Sequence, residues 1–263
     1  MSAGATTIGK ESRRTILTCP VDVLTLEQTV ERSVLLMRAG GFHSQFSLNA
    51  AKVVEAHRSP ELHGFLERAT IVNADGQALV WAGKVLGVPI PERVAGIDLL
   101  SALLAAMERE GLSAYFLGAR EAVIARTVEV IAARHPHLRM AGFHHGHFPP
   151  ADDERIAAKI GETSPDALFV GMSSPRKEHW IDAHQALTGA GFAMGVGGSF
   201  DVIAGLTKRA PRLLQRLGLE WAYRTAQEPR RLAGRYARTN GAFVKLVVDE
   251  LARRHRRAGR GRP

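Results

Sequence analysis

Residues 70–80 read TIVNADGQALV: an apolar run ends in Asn73-Ala74-Asp75-Gly76, and a helical pattern follows at once. A carboxylate at such a strand-to-helix junction can cap the helix, bind a metal, read a ribose or act as a base. Arg93, in RVAGIDLL (93–100), precedes a turn and has no helix-capping duty, and its planar fork suits a phosphate or another anionic ligand. Asp98 in the same stretch reads as a cap or first-turn acid. In SSPRKEHWI (173–181), Ser173 or Ser174 followed by Pro175 is the grammar of a helix start. Lys177 then falls in the first turn, against the helix dipole, and a ligand oxygen is the expected reason for it.

Two further stretches test cofactor chemistry. GVGGSFD (195–201) begins like a dinucleotide fingerprint, but Phe200 stands where the third glycine or alanine is required. The acid about 20 residues on, Glu220, sits in an amphipathic helical pattern and not at a strand end, which disfavours an NAD-dependent oxidoreductase. The backbone N–H groups of Gly197 and Gly198 still suit a phosphate or nucleotide, or the glycines serve a tight turn. FHHGHF (143–148) holds three histidines without an HExxH pattern or a cysteine partner, and no Asp-x-Asp motif occurs. Asp152-Asp153 opens a helix, where acids favour the dipole. No catalytic metal is expected.

The elements that must carry these residues alternate. Strands are expected at 44–48, 70–73, 114–117, 140–143, 167–171 and 192–196. Helices are expected at 26–39, 50–57, 77–86, 97–110, 121–134, 152–161 and 175–187. Short apolar strands between helices give an α/β fold, a parallel sheet with helices on both faces. Ligands of such sheets lie beyond the strand C-termini, so Asn49, Asp75, Gly118, Ser173 and Gly197 share one rim. After Gly205 the pattern is helical only, so the chain divides into a 15–204 domain and a 205–263 appendage.

The charge follows that division. The chain of 263 residues carries a net +9, yet residues 205–263 hold 16 Lys and Arg against 4 acids, and residues 1–204 hold 19 against 22. All the surplus positive charge therefore lies in the appendage, which suggests an anionic partner: membrane phospholipid, a diphosphate or nucleic acid. Lys208, Arg209, Arg212, Arg216, Arg224, Arg230 and Arg231 interleave with leucines, Trp221 and Tyr223, the composition of an interfacial helix. The single Cys19 leaves no disulfide framework, and the N-terminus has no apolar h-region, so a reducing, cytoplasmic setting is expected. No window is apolar enough to span a bilayer.

Taken in order, NADGQALVWAGKVLG, RVAGIDLL, FLGA, GFHHGHF, ALFVGMSSPRKEHWI, GVGGSFDVIAGLTKRAP and GLEWAYRTAQEPRR resemble the WecG/TagA/CpsF family of bacterial glycosyltransferases over roughly residues 15–235. The resemblance implies a Rossmann-like, doubly wound domain with a C-terminal helical appendage that approaches the membrane. It implies a metal-independent, cofactor-free, inverting transfer from a UDP-sugar donor to a polyprenyl-diphosphate-linked acceptor sugar, in surface or exopolysaccharide synthesis. N-Acetylmannosamine, its uronate or another hexose is the expected donor sugar. By motif, the catalytic residues fall on Asp75 and on Arg93, the RVxGxD arginine, the acceptor pocket on Ser47 and Asn49, and the nucleotide-contacting acid on Asp201. The diphosphate-binding arginines fall on Arg224 and Arg231. The partners implied are an anionic membrane surface at the inner face of the cell membrane and no nucleic acid, with a homo-oligomer left open. Two positions depart from the family pattern: PxQE reads PRKE, placing Lys177 for a glutamine, and GYF reads GHF, placing His147 where a ring would stack near the nucleotide.

Overall fold

Strands buried on both faces need continuous apolar runs, and three segments supply them: SAYFLG, ALFVG and FAMG are buried almost throughout. The computed structural model describes residues 12–260 apart from 217 and 228. Side chains at 212, 216, 224, 230–233, 235–237 and 257–260 also lie outside the described set. In chain order the elements are β1 (Arg13–Ile16), β2 (Cys19–Asp22), α1 (Leu26–Ala39), β3 (His43–Leu48), α2 (Ala50–Arg58), α3 (Pro60–Arg68), β4 (Ile71–Ala74), α4 (Gln77–Val85) and α5 (Gly96–Glu110). There follow β5 (Ser113–Gly118), α6 (Glu121–Arg134), β6 (Arg139–His144), a 3-10 turn (Pro150–Asp152), α7 (Asp153–Gly161), β7 (Ala167–Gly171), α8 (Arg176–Thr188), β8 (Phe192–Gly195) and α9 (Ser199–Ile203). Helices α10 (Arg212–Arg216), α11 (Glu220–Gln227) and α12 (Pro229–Arg260) complete the chain.

Six strands form one parallel sheet in the order β4-β3-β8-β7-β5-β6. Alternate strand residues face opposite sides, and they divide into two cores. Phe46, Leu48, Tyr115, Leu117, Leu168 and Val170 pack with α2, α3, α4, α7 and α8. Phe116, Phe169, Phe192 and Met194 pack with α1, α5, α6 and α9. This is the doubly wound α/β fold that the alternation of patterns implies. The long α12 joins the first core through Phe243, with Leu246, Val247 and Leu251 beside it, and lies along α2.

Two elements fall outside the expected alternation. The β1–β2 hairpin turns through Leu17 and Thr18 at φ 48° and 73°, left-handed positions taken without the Asn-Gly signal that marks such turns. It packs beside β4 through Asp22, whose Oδ2 accepts from Val72 N and Arg13 Nη2, both at 2.7 Å. Helix α3 begins on Ser59 as N-cap and Pro60 at its first turn, a readable start inside what the pattern alone leaves as a connection.

A buried polar chain fixes the end of β4. Gln45 Nε2 donates to Asn73 Oδ1, and Asn73 Nδ2 donates to Thr29 Oγ1, each at 2.9 Å. Thr29 in turn donates to Thr25 O, inside the capping box that starts α1. Strand β4 is thereby tied to β3 and α1 just before Asp75 emerges.

Candidate active site

The C-terminal ends of β3, β4, β7 and β8 open into a cleft of about 730 Å³. It lies where the strand order crosses over between β3 and β8, the position at which open α/β sheets take ligands. Ser47, Asn49, Asp75, Lys177, Gly197 and Gly198 all line it. The cleft has two chemically different walls.

Asp75 belongs to the first. Its backbone N donates to Leu48 O at 2.7 Å, continuing the β3–β4 pairing by one residue. Helix α4 is capped by Gly76 at φ 116°, without a side-chain cap, so Asp75 is not its cap. The carboxylate turns instead towards the start of α5: Oδ2 accepts from Gly96 N at 3.4 Å, where the N-cap residue Ala95 offers no side chain. A Cβ at Gly96 would stand 3.5 Å from Ser47 Oγ and 3.8 Å from Asp75 Oδ2, so glycine keeps this corner open. Ser47 Oγ is buried there with no protein partner. Asn49 caps α2, its Oδ1 accepting from Lys52 N at 2.9 Å, which leaves its amide N–H groups for a ligand.

The segment after Gly205 closes this wall. Arg93 Nη1 lies 2.8 Å from Glu220 Oε2 of α11. Arg209 Nε lies 3.7 Å from the other oxygen of Glu220, and the Arg209 fork donates to both oxygens of Asp98 at 2.5 and 2.6 Å. That paired bond, working against burial, holds Arg209 still more firmly protonated than usual. Asp98 is thus a first-turn acid of α5 with a partner in the segment after Gly205. Lys208, Arg209 and Glu220 line the cleft, and Arg93 stands behind Glu220.

The second wall is a buried charge cluster. Lys52 Nζ of α2 and Lys177 Nζ of α8 lie 2.8 and 3.0 Å from one oxygen, Oε1, of Glu178. Lys52 and Lys177 are 6% and 7% exposed, and Glu178 is wholly buried, so the cluster lies in low dielectric. Burial, then the like charge of Lys52, brings the Lys177 ammonium down to about 8. Burial works to raise the Glu178 carboxyl, and the two ammonium groups overrule it, holding it at about 2. Gly195 makes room for Lys177, since a Cβ there would meet Lys177 Cε at 2.9 Å. Pro175 is the N-cap of α8, and neither serine before it caps the helix by its side chain; Ser174 Oγ is buried in the cleft lining without a partner.

Other expected residues are placed elsewhere. His147 is exposed beyond β6, at the far edge of the sheet, and does not line the cleft. Asp201 lies in α9 between two lining residues, Ser199 and Val202, without being one itself. The side chains of Arg224 and Arg231 lie outside the described residues. Phe200 explains the broken glycine fingerprint: its ring is fully buried against Gly171 of β7, where a Cβ would collide with it. Close helix–strand packing is secured by a glycine on the strand, not on the helix. Among the described residues no three His, Cys, Asp or Glu side chains converge as a metal site. Sequence patterns missed Lys52, Gly96 and Arg209 as site residues. Lys52 carried one usable signal, its place three residues after a helix-capping asparagine at a strand end.

A six-stranded parallel α/β sheet with its cleft at the strand crossover, closed by a basic helical segment, defines a doubly wound, Rossmann-like fold. The chain belongs to the family described as Glycosyl transferase WecG/TagA/CpsF family, which matches residues 14–257, and it is a glycosyltransferase. It is similar to the N-acetylglucosaminyldiphosphoundecaprenol N-acetyl-beta-D-mannosaminyltransferase of Bacillus spizizenii (strain ATCC 23059 / NRRL B-14472 / W23), 36% identical over 177 residues, 67% of this chain and 68% of that protein. Proteins of the same name from Staphylococcus aureus strains MW2 and NCTC 8325 / PS 47 are each 34% identical over 167 residues, 64% of this chain and 65% of theirs. The aligned part thus spans about two thirds of these relatives' length.

Proposed function

We propose that the enzyme moves a hexose from a UDP-sugar to the sugar of a polyprenyl-diphosphate-linked acceptor, with inversion and without a metal. The observation that carries this is the corner formed by Asp75, Ser47 and Gly96, where a carboxylate and an unpartnered hydroxyl meet beside an open space at the crossover cleft. The relatives' names, which specify a diphosphoundecaprenol-linked acceptor, support the acceptor class.

In this scheme Asp75 takes the proton of the acceptor hydroxyl as that oxygen bonds to the anomeric carbon. The bond from that carbon to the UDP oxygen breaks, and UDP leaves with the electron pair. A positioned base of this kind contributes roughly 10²–10⁴-fold. Lys208, Arg209 and the backbone N–H groups at Gly197-Gly198 are the donors available to the departing diphosphate. Ser47 and the Asn49 amide orient the acceptor, Arg93 holds Glu220 in the closed wall, and Arg224 and Arg231 are assigned to the acceptor diphosphate by motif. His147 and Asp201 keep nucleotide contact only as motif-based assignments.

A lipid-borne acceptor requires a surface enzyme. No described helix is long and apolar enough to cross a membrane. Exposed Leu206, Leu213, Leu219 and Trp221 stand among the basic residues of the appendage, which suits reversible docking on an anionic leaflet. Each Lys or Arg near such a surface is worth about 1 kcal/mol. The test is incubation of the full chain with a short-chain prenyl-diphosphate N-acetylglucosamine, a panel of UDP-sugars and excess EDTA. Acceptor-dependent UDP release with one donor supports the assignment. Binding of donor without release, for every donor in the panel, would overturn it.

A further inference from the structure

Glu220 stands between the cleft and an arginine whose planar fork suits an anion. It lines the cleft, whereas Arg93, its partner at 2.8 Å, does not. The other oxygen of Glu220 lies 3.7 Å from Arg209 Nε, and that N–H is buried with no hydrogen-bond acceptor. One flat carboxylate thus spans two guanidinium groups and satisfies only the first. Arg209 spends both Nη atoms on Asp98, so Nε remains a donor in want of an acceptor. The charges of this wall also cancel: Arg93, Lys208 and Arg209 face Asp75, Asp98 and Glu220. A diphosphate is multiply charged and needs a positive surplus there, which arises only when one carboxylate withdraws. Asp98 is tied through both oxygens, and Asp75 is held at Gly96 N. Glu220 has the longest arm of the three and sits in the first turn of α11, where the helix dipole still favours it away from Arg93.

We propose that Glu220 is a built-in competitor for the diphosphate: its carboxylate holds the place of a ligand phosphate between Arg93 and Arg209, and the ligand binds by displacing it. This inference rests on the reading above that the cleft takes a nucleoside diphosphate. The tetrahedral oxygens of a phosphate can accept from Arg93 Nη1 and Arg209 Nε together, which the planar carboxylate at 2.8 and 3.7 Å does not do. Displacement takes one negative charge out of the wall and turns two arginines towards the ligand. Arg93 is uncovered only by an anion strong enough to replace a carboxylate, so a sugar or nucleoside without phosphate leaves the wall as it stands.

The test is calorimetric titration of the full chain with inorganic pyrophosphate and with UDP. Glu220→Gln keeps the shape of the side chain without its charge, and it should bind both about fivefold or more tightly than wild type. Glu220→Asp, which keeps the charge but draws it back from Arg93, is the second variant and should shift the same way. Glu55→Gln removes a cleft-lining carboxylate from the second wall and should stay within about twofold of wild type. A thermal melt of each variant confirms the fold. Weaker binding in both Glu220 variants overturns the competitor, because a carboxylate that only positions Arg93 weakens the site when it is lost. An equal gain in Glu220→Gln and Glu55→Gln also overturns it, by reducing the effect to the general field of the cleft. UDP binding by wild type with no gain in either Glu220 variant sinks the competitor alone. No UDP binding by wild type or by either Glu220 variant sinks the donor assignment beneath it as well.

Discussion

Arg93 and Glu220 meet at 2.8 Å although 127 residues separate them in the chain. Their pair, continued through Arg209 to Asp98, joins the loop before α5 and the first turn of α5 to Arg209 and to α11. Both side chains are mostly buried, so the pair is screened less than a surface salt bridge. Glu220→Gln should loosen α11 without unfolding the sheet. Amide exchange in α11 is expected to speed up roughly tenfold, equivalent to about 1.4 kcal/mol, while the β5 and β7 amides keep their protection. Unchanged exchange in α11 would mean that the apolar contacts hold the helix and the ladder is incidental.

Much of this geometry was legible from residue order alone. Every expected strand and helix of the sheet domain is present, because runs such as ALFVG and periodic stretches such as EAVIARTVEVIAAR leave few alternatives. Of the five expected rim residues, Asn49, Asp75, Ser173 and Gly197 meet at one cleft because parallel strands end on one side, while Gly118 does not line it. What could not be read is partnership. The carboxylate partner of Arg93 lies 127 residues along the chain, and Asp98, the expected first-turn acid, has its arginine partner 111 residues on, so neither pair leaves a local pattern. The Lys52–Glu178 contact spans 126 residues and has no local pattern. The β1–β2 hairpin was silent because Leu17 and Thr18 take a turn that other residues usually make.

Asp75→Asn separates base from ligand. Asparagine keeps the acceptor oxygen that receives Gly96 N–H and so preserves the corner, but it cannot take a proton. Turnover should fall by roughly 10²–10⁴-fold, with UDP affinity within a few-fold of wild type by calorimetry. Lost UDP binding in a folded variant would instead make Asp75 a nucleotide ligand.

The charge cluster sets two pH dependences of the same sign in two separate windows. Glu178 has its carboxyl lowered from 4.5 to about 2, so its contribution to stability is full above 4.5 and is lost as pH falls towards 2. Lys177 has its ammonium lowered from 10.5 to about 8, so between those values the unfolded chain holds more protons and this group makes stability rise with pH. The groups facing it are Lys52 and Glu55 of α2 and Glu178 of its own helix. The melting temperature should therefore show no loss from this group as pH passes 8. Glu178→Gln should lower the neutral-pH melting temperature and flatten its dependence between pH 4.5 and 2. A melting temperature that falls between pH 8 and 10 in wild type but not in Lys177→Gln would show instead that the charged ammonium supports the fold.

Gly96→Ala tests the corner from the side of space. The position has no left-handed backbone requirement, and a methyl there meets Ser47 Oγ at 3.5 Å and Asp75 Oδ2 at 3.8 Å, ordinary contact distances. Alanine also narrows the unfolded ensemble relative to glycine, so the variant should be more stable by about 0.4–1 kcal/mol. The added methyl nevertheless occupies the volume between hydroxyl and carboxylate that an acceptor hydroxyl must enter. Misplacement of about 1 Å at the reacting atoms can cost on the order of 10²-fold. A raised melting temperature together with a fall in acceptor-dependent UDP release, and little change in donor affinity, is the expected combination. If the stabilised variant turns over at the wild-type rate, the acceptor reaches Asp75 by another approach and the Ser47–Gly96 side of the cleft is not its path.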